Sequence, residues 1–208
     1  MIEVLAPDIN RVVENALLYT NKKAIRLQEV FFVVNDGKFQ VFACDDYIAV
    51  GDWFEIDSKD SKEFALSVED AEKFLAFIKK DKKVVHKSTI KVQFYSTYVK
   101  LTSDDEAEKF EYTEPSYDAW DLVFQMLAEE DQDLKPVLEF AVRPDRWAKM
   151  AQLKADKEAP LVFRGIDING FLLLQFKKGL SLIGAAMPID MSYVQEEFLW
   201  KNSENTEA

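Results

Sequence analysis

One internal spacing limits what this chain can fold into more than any single motif. Phe64-Ala65 is followed by Asp70 and Lys73, and Phe140-Ala141 is followed by Arg146 and Lys149, the two sets being offset by 76 residues throughout. A fixed offset is the mark of one supersecondary unit used more than once, because a lone copy leaves an apolar face that only a neighbour can cover. Both stretches open as a short strand, continue as an amphipathic helix and end in strand-like runs, so the unit reads β-α-β-β. A third copy opens the chain, which puts unit starts near residues 1, 62 and 138.

In the first copy, Pro7-Asp8 ahead of Ile9, Val12, Val13, Ala16 and Leu17 reads as an N-cap and a helical apolar stripe. Residues 30–34 and 38–43 flank Asn35-Asp36-Gly37, and Asp-Gly between β-rich runs predicts a tight hairpin. Further strand-like runs follow at 47–50 and 53–56. In the second copy Val68, Ala71, Phe74, Leu75 and Ile78 mark the helix, with strands predicted at 89–94 and 98–101 and a β-like Phe110 and Tyr112. The third copy has a helix over 144–153, carried by Trp147, Met150 and Ala151, and strands at 161–164, 171–176 and 180–186. Between the second and third copies lies a predicted helix over 117–128 and an acidic loop, Glu129-Glu130-Asp131-Gln132-Asp133, which makes the best domain boundary. The expected fold class is α+β, with repeated β-α-β-β half-domains and antiparallel sheets carrying helices on one face. The expected organisation is a two-copy domain over 1–115, a connector over 116–137, an abbreviated second domain over 138–191 and a tail over 192–208.

The composition suits a packed fold: 48% of the 208 residues are hydrophobic, 13% are aromatic, and there are only 6 Gly and 6 Pro, which excludes disordered and low-complexity classes. Cys44 is the lone cysteine and His86 the lone histidine, so neither a disulfide within the chain nor a Cys/His zinc site is expected. Met1-Ile2-Glu3-Val4 lacks the basic start of a secretion signal, and no apolar run approaches the ~20 residues that span a bilayer. A soluble, cytoplasmic protein without a membrane partner is the expectation.

Catalytic motifs are absent from the sequence: it has no phosphate-binding glycine loop, no dinucleotide fingerprint and no nucleophile elbow, and His86 sits in a lysine-rich turn without a nucleophile beside it. Asp45-Asp46 with Asp52 could hold Mg²⁺ or act as an acid–base pair, but strand-end aspartates more often form turns. Charge is more informative. The net charge of −12 argues against a polyanionic partner as a whole. Yet residues 8–27, 64–83 and 140–157 together carry fourteen basic and eight acidic side chains, leaving the deficit elsewhere. Basic residues at helix C-termini also complement the helix dipole. Arg143, Arg146 and Lys149, spaced by three, make the strongest candidate set for phosphate contact, with Arg11 and Lys73 secondary.

Three segments resemble the DNA sliding clamps, especially the bacterial polymerase β-clamp type and its phage-encoded relatives. The run from Asp36-Gly37 through Ala43-Cys44-Asp45-Asp46-Tyr47 resembles the family's glycine turn, alternating strand and Ala-x-Asp-x-Tyr. The run 140–147, with Arg143-Pro144, is similar to the strand that enters the last clamp helix, and Gly184-Ala185-Ala186-Met187-Pro188-Ile189 is similar to the Met-Pro-hydrophobic ending of the last strand. The resemblance implies a non-enzymatic processivity or DNA-tethering factor of replication, without catalytic residues, cofactor or metal, that encircles double-stranded DNA without sequence preference and self-associates into a homo-oligomer. It implies DNA contact through Arg143, Arg146, Lys149, Arg11 and Lys73, and a peptide pocket at Met187, Pro188 and Ile189 for a DNA polymerase or other replication protein. Two departures accompany it: three half-domains stand where a bacterial clamp subunit has six, and Asp190 stands where that pattern favours a basic residue.

The alternative reading is a clamp-fold or α+β interaction or regulatory protein that does not encircle DNA; an enzyme working through Asp45, Asp46 and Asp52 is a distant third. The tail adds a last expectation. Gln195-Glu196-Glu197-Phe198-Leu199-Trp200 is similar to the peptides that clamp partners insert, so it either plugs the pocket of its own or a neighbouring subunit or covers apolar surface ahead of a frayed end.

Overall fold

The computed structural model describes residues 1–20, 27–45, 47–104, 106–113, 115–128, 133–135, 142–155, 159–168 and 171–188. Phe140, Ala141, Asp46, Ile189 and the tail lie outside the described residues, as do most of the acidic loop and the basic residues Lys22, Lys23, Arg26 and Lys157.

The first copy comprises β1 (Ile2–Leu5), α1 (Ala6–Leu17), β2 (Glu29–Asn35), β3 (Lys38–Cys44) and β4 (Ile48–Glu55). The two strand-like runs at 47–50 and 53–56 thus join into one strand, and the unit gains a third strand after its helix. The second copy repeats this with β5 (Lys62–Ser67), α2 (Val68–Lys79), β6 (Thr89–Phe94), β7 (Tyr98–Ser103) and β8 (Glu106–Glu111). After α3 (Tyr117–Leu127) and β9 (Asp133–Lys135), the third copy supplies α4 (Pro144–Gln152), β10 (Leu161–Ile168), β11 (Phe171–Lys178) and β12 (Leu182–Ala186).

Local chemistry sets several boundaries. The β2–β3 hairpin closes through Asp36 and Gly37, both with positive φ (49° and 72°), the twist that a two-residue turn between antiparallel strands demands. Helix α2 is capped by Ser67, whose Oγ accepts the Asp70 N–H at 3.1 Å. Helix α1 begins earlier than the Pro7-Asp8 signal predicts. Leu5 occupies its N-cap without a side-chain bond, Pro7 falls in the first turn, and Asp8 is left to complement the helix dipole.

The first two copies exchange their leading strands. One sheet runs β1-β6-β7-β8 and the other begins β5-β2-β3-β4, so each copy's first strand pairs inside the other copy's sheet. Phe32 of β2 stacks on Phe64 of β5 with centroids 4.7 Å apart, and Phe64 stacks in turn on Tyr112. The third copy extends the second sheet edge to edge: β12 pairs antiparallel with β4, and the eight-stranded order is β5-β2-β3-β4-β12-β11-β10-β9. Gly184 of β12 leaves room for the Phe176 ring of neighbouring β11, because a Cβ there would lie 2.1 Å from that ring.

Helices α1 and α2 pack on one another and join one core with the inward residues of both sheets, among them Val30, Phe32, Val41, Ile48, Val50 and Leu66. Met150 of α4 belongs to the same core. Alternate residues of the same strands, Phe31, Cys44, Ala49, Ala65 and Ala185, form a second cluster with Trp120, Val123 and Leu127. The three repeat helices thus share one face as expected, while the connector helix α3 covers the opposite one. Glu29 holds the start of α3, its Oε1 accepting from the Ser116 N–H (2.9 Å) and Trp120 Nε1 (2.7 Å). Gln175 of β11 holds the end, donating to the Met126 and Ala128 carbonyls at 3.0 and 2.8 Å. Helix α3 therefore straps the β4–β12 seam from outside.

Candidate functional site

The inner side of the seam is polar and closed. Asp52 of β4 is 1% exposed, and its carboxylate accepts from Arg11 Nη1, from Asn15 Nδ2 at 2.8 Å, from Ser181 Oγ at 2.8 Å and from the Trp53 N–H at 2.8 Å. Arg11 also donates to the Trp53 carbonyl at 3.0 Å. Asn15, fully buried, faces the segment after α4: Nδ2 donates to the Lys154 carbonyl and Oδ1 accepts the Lys154 N–H, both at 2.7 Å. Buried charge and amide are thus satisfied together, which is the condition for tolerating them at all. This cluster of Arg11, Asn15, Asp52 and Ser181 locks α1 to both sides of the seam, and Arg11, a candidate for phosphate contact, has its fork committed to it.

Glu14, one turn further along α1, gathers the ends of the other helices. Its carboxylate accepts from Lys154 at 2.7 Å and from Asn10 at 3.0 Å, and pairs with Lys79 of α2 at 3.4 Å. Burial alone would raise its pKa, but the Lys154 hydrogen bond and the charges of Lys79 and Lys154 outweigh it, so the group sits below the ordinary carboxylate value. A depressed folded-state pKa contributes stability that is present above the unfolded value, near 4.3, and is lost as pH falls through the folded value. Glu14→Gln is therefore expected to cost up to about 1 kcal/mol at pH 7 and progressively less as the pH falls below the ordinary carboxylate value, measured as urea midpoints across that range.

The second group lies where α4 meets the β3–β4 turn and the end of β12. The Arg146 guanidinium stacks 3.9 Å above the Tyr47 ring and donates to the Met187 carbonyl at 3.3 Å, while the Met187 N–H donates to the Tyr47 carbonyl at 2.9 Å. Met187 and Tyr47 are 43% and 50% exposed, and Pro188 is half-buried. Beneath them Lys149 Nζ bonds the nearly buried Asp45 at 2.7 Å and lies 5.8 Å from the ring of buried Tyr19. Burial, then the Asp45 charge, pushes the Tyr19 hydroxyl far above its usual range. Arg146 and Met187, which the sequence suggested for different tasks, meet here. Arg143, by contrast, is exposed and holds Asp145 of its own helix at 3.1 Å, and Lys73 is exposed and pairs with Glu69 and Asp70 of α2 at 2.9 and 3.2 Å. These two lie apart from both clusters.

Asp45 and Asp52 are thus occupied by Lys149 and Arg11, which leaves their oxygens poorly placed for a cation. No group of three or more potential metal ligands occurs among the described residues. The sequence marks neither Asn15 nor Ser181 as a site residue, and Tyr47 only as the end of the Ala-x-Asp-x-Tyr resemblance. Asn15 left a usable trace there, a polar residue beside the apolar stripe of α1, whereas Ser181 left none. No helix among the described residues is long and apolar enough to cross a membrane.

Paired copies with exchanged leading strands, helices on one face and strand-to-strand continuation into the next copy define a clamp architecture. Solved structures bear this out. A DNA polymerase sliding clamp from Pseudomonas aeruginosa aligns with a TM-score of 0.67 at 8% identity, over 98% of this chain and 68% of that one. The Helicobacter pylori beta clamp in complex with 3,4-difluorobenzamide gives 0.65 at 12% identity, over 97% and 68%. The same organism's clamp bound to a DNA ligase peptide gives 0.65 at 12%, over 97% and 69%. No protein-family model and no curated protein matches the chain. The chain has the sliding-clamp fold, and it spans about two thirds of the length of the clamps it resembles, from 64% to 69% across the solved structures.

Proposed function

We propose that the protein is a clamp-like tethering factor of DNA replication that performs no chemistry. It holds double-stranded DNA loosely on its helix side and offers the Tyr47–Arg146–Met187 surface to a peptide of a polymerase or another replication protein. The observation that carries this reading is the seam, where a complete two-copy domain is continued strand to strand by a third copy whose helix joins the same core. An array that grows in this way encircles a duplex once enough copies are joined, which for this chain means self-association into a homo-oligomer. Arg143, Arg146, Lys149, Arg11 and Lys73 form the helix-side set of candidate phosphate contacts. The test is retention on closed circular against linear DNA of the same sequence, with molar mass read by light scattering. A ring stays on the circle and slides off linear ends; equal retention, or a stable monomer on both substrates, overturns encirclement.

The peptide surface is tested separately. Met187→Glu places a charge in an exposed apolar contact without touching the core, so folding stability should hold within about 0.5 kcal/mol. Binding of a polymerase C-terminal peptide should weaken at least about tenfold, since burying an unpaired carboxylate against an apolar anchor opposes association. Unchanged peptide affinity would move the pocket elsewhere. The Helicobacter pylori clamp seen with a DNA ligase peptide supports a peptide as the ligand class.

One observation favours the second reading, an interaction protein of clamp fold that does not encircle DNA. Within their observed bounds α1 and α2 each carry one more acidic than basic residue, and α4 carries one more basic than acidic. The same circular-DNA comparison decides between the two readings.

A further inference from the structure

The excess of positive charge that the sequence places around the helices does not lie on them. Among the described residues it lies past the helix ends, in the turn that follows α2 and at Arg143 and Lys154 on either side of α4. That turn, 80–88, is folded: the Lys83 N–H bonds the Lys80 carbonyl at 3.2 Å, the His86 N–H the Lys82 carbonyl at 3.0 Å, and the Ser88 N–H the Lys83 carbonyl at 2.9 Å, while the Ser88 carbonyl receives the Ala6 N–H at 2.9 Å. Lys83 points inward, 4% exposed, with its ammonium 4.0 Å from the Phe77 ring centroid and 3.5 Å from Glu106. Its neighbours Lys82, His86 and Lys87 are exposed. Lys80 pairs with Glu106, and Lys79 shares Glu14 with Lys154, so the basic groups continue as a ridge from the turn across the ends of α2 and α1 to the segment after α4. Glu108 lies beside it too, in the groove with Lys73, Lys79 and Lys80, and Asp81 falls between Lys80 and Lys82 in the sequence of the turn.

Lys82 and Lys87 both have left-handed backbone, with φ of 59° and 54°. Glycine adopts that conformation without the Cβ clash that a lysine suffers, so lysine at both positions is a conformational cost kept in exchange for something else. A dipole-neutralising role accounts for Lys79, at the last turn of α2, but not for Lys82 and Lys87, which lie past it.

We propose that the ridge centred on Lys82, His86 and Lys87, continued by Lys80, Lys79 and Lys154, is the principal sequence-independent contact for a nucleic-acid phosphate backbone. It ranks ahead of the α4 set of Arg143, Arg146 and Lys149. The proposal rests on the DNA-tethering reading and assigns where the phosphates are held. The occupant is a polyanion of regular charge spacing, because the exposed cations follow one another along the ridge, whereas the groove beside them, lined by Lys73, Lys79 and Lys80, also holds the Glu108 carboxylate, which repels a small anion.

The test is a double variant, Lys82→Gly with Lys87→Gly, in which the new residues suit the left-handed backbone. Its melting temperature should equal or exceed that of the parent. Binding to a fluorescent linear duplex, followed by anisotropy over a salt series, should lose about 0.9 of the log–log salt slope per contact removed, alike for unrelated sequences. The variant Arg143→Ala, Arg146→Ala, Lys149→Ala runs in parallel. A slope lowered by the glycine pair and little changed by the α4 triple supports the ridge. A slope lowered only by the α4 triple overturns the ridge and leaves the tethering reading standing. A parent protein that binds neither linear nor circular duplex at low salt overturns the tethering reading, and the ridge with it.

Discussion

Arg11→Ala is expected to remove about 3 kcal/mol of folding stability, at the low end of the 3–5 kcal/mol typical when one partner of a buried ion pair is deleted, because Arg11 is itself 24% exposed. The cost comes from Asp52, whose carboxyl group, in a site 1% open to solvent, is then left with only Asn15, Ser181 and one backbone N–H as partners. Urea denaturation should show a lower midpoint with little change in slope. Replacing both partners, Arg11→Met with Asp52→Leu, should recover part of the loss, since no buried charge is then left unpaired. The measurement also separates two roles for Arg11. A seam clasp loses stability when truncated, whereas a phosphate contact loses only DNA affinity and salt dependence.

Trp120→Ala is the second large effect, about 3–5 kcal/mol. The indole is fully buried, stacks on Phe31 with centroids 5.2 Å apart, and donates to Glu29 at 2.7 Å. Truncation therefore opens a cavity on the outer sheet face and takes from Glu29 one of the two donors it uses to hold the start of α3. At roughly 2–4 °C per kcal/mol for a chain of this size, the melting temperature should fall by about 10 °C. Trp120→Phe keeps most of the stack and loses the N–H, so it should cost about 1–3 kcal/mol. A Trp120→Ala protein as stable as the parent would show that α3 contributes little to the seam.

The sequence by itself determined the features that depend on near neighbours in the chain. The Asp36-Gly37 hairpin was legible because its positive φ values are a local demand, and the helices of the three copies because burying one face imposes a 3.6-residue period. It also supplied the repeat, since each copy must present the same apolar face. A partial signal was there for the outer core as well: residues 30–34 are apolar without a break, the pattern of a strand covered on both faces. Only the tertiary structure decided which strands pair across the copies. The exchange of β1 and β5 between copies and the joining of β12 to β4 bring together residues far apart in the chain, and pairing at that distance leaves no local mark. The same is true of the charges. A window of sequence counts Arg11, Lys149 and Lys82 alike, but folding buries Asp52 against the first and Asp45 against the second and turns the third out to solvent. The exposed charge that a polyanion would meet is what remains after those pairings, and it is set by packing rather than by composition.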